Sequence, residues 1–248
     1  MLIKNAKNLS IISILSDVFY SYTKIDRSLL NEYDIYISDN IAEDIKIFEN
    51  IKCSTSFDGT VLFPSSTDKP NKMAVLFTDN ANSYLHAVPH ELCHVHDFYL
   101  FCKQYCDYKY TTVRNNPKYM SFLYWSEFHV KSIEIYCTFL ALNIINEENN
   151  TECFQNNLEL FYNKYSDKLA NKSKPQIIDF MYYIGELYTC NLYNPHSETQ
   201  YTVRKDLIVT YPFLPILYEV FSNSPSFDLY VENQKEISEI LLEATQYL

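Results

Sequence analysis

Glycine is almost absent from this chain: Gly59 and Gly185 are the only two among 248 residues. Neither a GxGxxG turn nor a Walker-type loop can be assembled from them, so no Gly-rich phosphate loop is expected. Arginine is nearly as scarce, with Arg27, Arg114 and Arg204 far apart along the chain. The net charge is −11 and no basic tract interrupts it, so the chain repels phosphate backbones and nucleic acid is not an expected partner. Long apolar runs are missing too; nothing approaches the roughly 18 residues that a membrane span needs. The short stretch Ile11–Leu15 is followed by Ser16-Asp-Val-Phe-Tyr20 rather than by a small-residue cleavage site, so no signal peptide is expected.

What is present is apolar and aromatic. Hydrophobic residues make up 47% of the chain, with 23 Tyr and 16 Phe, so an aromatic-rich core is expected. The length suits one large domain or two small ones sharing a core. Seven cysteines, an odd number at irregular spacing, read as reduced thiols in a cytoplasmic protein rather than as a disulfide framework. Cys102 and Cys106 stand at metal-ligand spacing, but no second close pair accompanies them. Cys93, Cys102 and Cys106 therefore read as small buried residues of one helix.

Apolar residues recur with helical spacing over residues 8–20 and over Ile41–Ile51. Tyr33–Ser38 alternates as a strand, and Ser56–Phe63 and Met73–Thr78 are β-like runs. Between these two, Pro64–Asn71 is rich in Pro, Ser, Asp and Asn and reads as a hairpin loop. From Ser83 onward the pattern is helical, over residues 83–106, 120–145, 152–168, 174–192, 204–221 and 233–247. The expectation is an α+β fold: a small mixed α/β part over residues 1–82 with a short sheet, then a helical part over residues 83–248.

The chemistry concentrates in Pro89-His-Glu-Leu-Cys-His-Val-His-Asp97. Residues four apart share a helix face, so His90 and His94 aim their imidazoles at one point. Two neutral imidazoles are good zinc ligands. Glu91, one step around from His90, falls beside the metal rather than on it. From there it can take a proton from zinc-bound water and later pass it to a leaving amine. Pro89 is tolerated near a helix start, which places that start near Leu85–Val88. Leu92, Val95 and Tyr99 lie off the ligand face and bury the helix.

A catalytic zinc takes three protein ligands and a water, so one ligand comes from elsewhere. His96 faces about 200° from His94 and is set aside. Asp97 shares the His94 face and is better suited to orient a ligand imidazole than to bind metal. Glu127, on the following aromatic-flanked helix, is the preferred third ligand, because a carboxylate on a buried face needs a partner. Glu134 lies on the same face as the alternative ligand, or as the anchor of a His or of Lys131; a simple ion pair of Glu127 with Lys131 is the competing reading. His129 lies off that face. Tyr193 and His196, in an expected loop, are candidates to stabilise an oxyanion. Arg204 is a candidate for a substrate carboxylate, with a surface charge the stronger reading.

His90-Glu91-x-x-His94 followed by a helical glutamate resembles the gluzincin pattern among HExxH zinc metallopeptidases, and more loosely the ImmA/IrrE group of intracellular metallopeptidases. Cys93 stands where the latter group usually has glycine, and the likeness spans only residues 70–145. The resemblance implies a zincin-like layout with the motif helix between the two parts, one Zn²⁺ per chain, and a peptide or protein substrate. It also implies that Met73–Thr78 is the sheet-edge strand that holds the substrate by β-augmentation. Two other readings compete: a zinc-binding regulatory homologue that cleaves nothing, and another zinc amide hydrolase with a Cys or His as third ligand. Nothing in the sequence speaks to oligomeric state.

Overall fold

A computed structural model describes residues 6–49, 58–141, 152–194 and 200–248. The fold is α+β, a short sheet followed by a helical part. The chain divides into two compact units, Met1–Tyr119 and Met120–Leu248. The helix that carries the histidine motif thus lies wholly inside the first unit, and the boundary falls well beyond the expected position at residue 82. The helix packs on the sheet before it.

In the first unit, helix α1 (Ala6–Thr23) precedes strand β1 (Tyr33–Ser38), helix α2 (Ile41–Glu49), strands β2 (Gly59–Leu62) and β3 (Met73–Thr78), and helix α3 (Tyr84–Tyr105). Strand order is β1-β3-β2. β1 runs parallel to β3, from Tyr33 opposite Met73 to Ser38 opposite Thr78. β2 pairs antiparallel with β3, from Gly59 opposite Phe77 to Leu62 opposite Ala74, so residues 63–72 form the expected hairpin connection. Asn71 ties this connection down: its Nδ2 donates to the Tyr108 carbonyl at 2.7 Å and its Oδ1 accepts from the Tyr110 amide at 3.1 Å.

The topology corrects one expectation. Met73–Thr78 is the central strand, with a partner on each side, and cannot be the edge that receives a peptide. The reason is legible in its burial. Ala74 and Leu76 join a cluster with Ile41, Ile45 and Leu62, flanked by Tyr36 and Phe48. Phe77 sits with its ring 6.0 Å from that of Tyr84 in α3. A strand covered on both faces loses its alternation and reads as an unbroken apolar run. Burying Val75, Leu76 and Phe77 stabilises the sheet by about 1.5–3 kcal/mol per side chain.

The second unit is built from α4 (Tyr119–Ala141), α5 (Glu152–Ala170), α6 (Ile177–Leu192), α7 (Lys205–Thr210), α8 (Leu214–Ser222) and α9 (Phe227–Thr245), α4 starting at the unit boundary. The expected single helix over residues 204–221 is two. Pro212 lacks an N–H and disfavours helical Tyr211 before it, so α7 stops at Thr210. Pro215 is accommodated in the first turn of α8. α9 begins at Phe227 rather than at 233, because Ser226 caps it by accepting from the Leu229 amide at 3.4 Å. Trp125 anchors this unit: fully buried, it donates from Nε1 to the Ser224 carbonyl at 2.7 Å and packs among Phe122, Phe227 and Tyr230. Among the described residues no helix is long and apolar enough to cross a membrane.

At Gly185, α6 lies close against α4. A Cβ placed there would stand 2.6 Å from the Phe128 carbonyl oxygen and 2.9 Å from Lys131 Cβ. Helix propensity alone says that alanine should stabilise α6 by about 1 kcal/mol. The collision is with backbone, which cannot step aside, so packing wins. Gly185→Ala is expected to lower unfolding free energy by about 1–3 kcal/mol. A guanidinium titration reads the sign; a variant more stable than the wild type would refute the close packing.

Candidate metal centre

Helix α3 starts at Tyr84, and the Ala87 amide already bonds to the Ser83 carbonyl at 2.9 Å. Pro89 is therefore its sixth residue, inside the second turn, rather than part of a first turn beginning near Leu85–Val88. The helix continues unbroken through the motif. Leu92 and Val95 are fully buried and hold its far side, while Tyr99 is half-buried.

On the other side the motif residues come together as their spacing requires. The His90 and His94 ring centroids are 4.8 Å apart, and donor atoms of the two rings lie within the same distance. His90 is half-buried, whereas His94 and Glu91 each keep only 6% of their surface. His94 is held by an aromatic stack that sequence reading did not identify. Its ring lies parallel to Phe98 at 5.7 Å, and Phe98 meets Phe63 edge-on at 4.8 Å and stacks on Tyr119 at 6.5 Å. The i,i+4 spacing of His94 and Phe98 was the available signal. Glu91 lies against Gly59 of β2. Asp97 is fully buried, with its carboxylate 3.5 Å from His96 Nδ1, the imidazole set aside on geometric grounds.

In the second unit, Glu127 and Glu134 are both buried on α4, exposed by 8% and 6%. Lys131 between them pairs with Glu134 at 2.6 Å and lies over the Tyr182 ring at 4.8 Å. The lysine thus closes on Glu134. Burial works to lower the Lys131 pKa, but the ion pair with Glu134 and the nearby charges of Glu186 and Glu127 outweigh it and leave it raised. For Glu186, also buried, burial dominates and holds the carboxyl well above the ordinary carboxylate range, partly countered by Lys131.

No family model, curated protein or solved structure matches this chain. His129 stacks on Trp125 at 5.0 Å. Tyr193 follows α6, stacked on Tyr136 at 4.3 Å and packed against Ile135, Leu158 and Cys190. His196 lies outside the described residues. Arg204 is committed within its own unit: it grips both Asp206 oxygens at 2.7 and 2.8 Å and Asp167 at 2.5 Å, which stiffens the start of α7. The cysteines on α3 are buried free thiols, as expected of them, and burial pushes Cys102 up to about 12.

Buried Glu186, close to Lys131, yields a pH dependence. A carboxyl whose folded pKa exceeds its unfolded value binds its proton more tightly in the native state. Its contribution to stability is complete at low pH and is lost as pH rises from the ordinary glutamate value through the raised one. Glu186→Gln removes that loss and leaves Glu134 to pair with Lys131. The variant is expected to gain stability relative to the wild type progressively as pH rises above the ordinary glutamate value of about 4.3. Thermal midpoints at several pH values decide it; a difference independent of pH would rule out the raised carboxyl.

Proposed function

We propose that the chain is a zinc-dependent peptide hydrolase of the HExxH type, with His90, His94 and Glu127 as metal ligands and Glu91 as general base. The observation that carries the reading is the His90–His94 pair, one turn apart on α3, with the buried Glu91 carboxylate beside it. Within the first unit, ligand atoms of His90 and His94 lie within 4.8 Å of each other. Two imidazoles and a carboxylate are the donor set of a catalytic zinc site that keeps a place for water. Glu134, engaged with Lys131, is the weaker third ligand.

Bound there, zinc would act as a Lewis acid on a substrate carbonyl and make water a better acid. Glu91 accepts the proton of the attacking water and returns it to the leaving amine. Its low exposure keeps bulk solvent from competing for that proton. Phe98 holds the His94 imidazole in one orientation. The substrate strand, no longer assignable to β3, belongs along β2, the outer strand among the described residues, which runs past Glu91. There an extended peptide would add to the sheet through its backbone groups. A cytoplasmic location completes the proposal, resting on the buried free thiols.

The test combines metal analysis with hydrolysis. Purified protein is expected to carry one zinc per chain. His90→Ala and His94→Ala should each lose it. Glu91→Gln should keep the metal while hydrolysis of a peptide library falls by at least a hundredfold. A wild-type protein that binds zinc yet cuts nothing would favour a non-proteolytic regulator; one that binds no zinc at all would sink the proposal.

A further inference from the structure

We propose that Gly59 is a positioning residue for Glu91, setting the direction of the carboxylate through direct contact with the β2 backbone; this rests on Glu91 acting as the base. A glycine inside a strand weakens it, and conformation does not demand one here, since no glycine of the chain has a positive φ. What the position demands is the absence of a side chain. A Cβ at residue 59 would lie 2.7 Å from Glu91 Cγ, 3.1 Å from Glu91 Oε1 and 3.1 Å from Phe77 Cδ1. The Glu91 side chain therefore lies flat against the strand.

That strand is not free to yield. Gly59 is paired with Phe77 of β3, and β3 is in turn held by β1. On its own side Glu91 is fixed by a helix whose far face is buried through Leu92 and Val95. The backbone at residue 59 is thus a wall against which the carboxylate rests, and the rotamer is set by what is missing opposite it. The same contact registers base and substrate. A peptide added along β2 would be aligned by the very strand that orients the proton acceptor, so the distance between them is built into the sheet.

The collision that alanine would cause is with the middle and end of a side chain, not with backbone. Gly59→Ala should therefore fold, with Glu91 moving. The variant is expected to keep one zinc per chain and to keep KM within about twofold, while kcat falls by about ten- to a hundredfold, since a displacement near 1 Å at a reacting group costs that much. Its thermal midpoint should also drop. That drop should shrink when Glu91→Ala is compared with the Gly59→Ala/Glu91→Ala double variant, because Cγ and Oε1 are gone and only the Phe77 contact remains. If Gly59→Ala alone does not fold, recovery of folding in the double variant supports the contact equally. An unchanged kcat in Gly59→Ala, or an equal loss of midpoint in both backgrounds, would overturn the proposal. If the wild type cuts no peptide, the hydrolase reading fails, and the thermal comparison still decides whether Gly59 sets the Glu91 side chain.

Discussion

Helix α3 buries Glu91, His94 and Asp97 within two turns, and this is the constraint to which the first unit is built. Taking a carboxylate or an imidazole out of water is costly unless its surroundings compensate. Here the surroundings are rigid. His94 is stacked on Phe98, Phe98 on Tyr119 with Phe63 at its edge, and Glu91 lies along β2. The central strand β3 makes this rigidity possible, because it carries β2 on one side and β1 on the other. A polar helix face is thereby held in place by an apolar sheet.

The helical elements were legible because their apolar periodicity is sustained over many residues. The motif was legible because i,i+4 spacing is local geometry and needs no tertiary information. Two kinds of feature were not. Boundaries set by single residues were missed: Pro212 divides one expected helix into α7 and α8, and the Ser226 cap starts α9 early. Relations across the sheet were missed as well. An apolar run such as Met73–Thr78 signals burial on both faces but carries no information about which neighbours it has, so its place at the centre was beyond the sequence. The partner of Glu91 was hidden for the same reason, since Gly59 is distant in sequence and adjacent only through strand pairing.

The two glycines are informative together. Each stands where a Cβ would collide with something specific, Gly59 with the Glu91 side chain and Gly185 with the Phe128 backbone. They differ in what can move. At Gly59 the obstacle is a flexible side chain, so the consequence of substitution is a moved Glu91. At Gly185 it is a carbonyl oxygen, so the consequence is loss of stability. In a chain with so little glycine, its absence elsewhere is what makes these positions readable.

The buried thiols have a consequence for the motions of the chain. Cys93 and Cys102 on α3, Cys137 on α4 and Cys190 on α6 are each exposed by no more than 2%, and burial pushes the last two up to about 12. A thiol so placed reacts only when its helix opens. Native cysteines in both units thus serve as built-in reporters. Their alkylation rates, measured side by side, record how often each unit breathes without any probe having to be introduced.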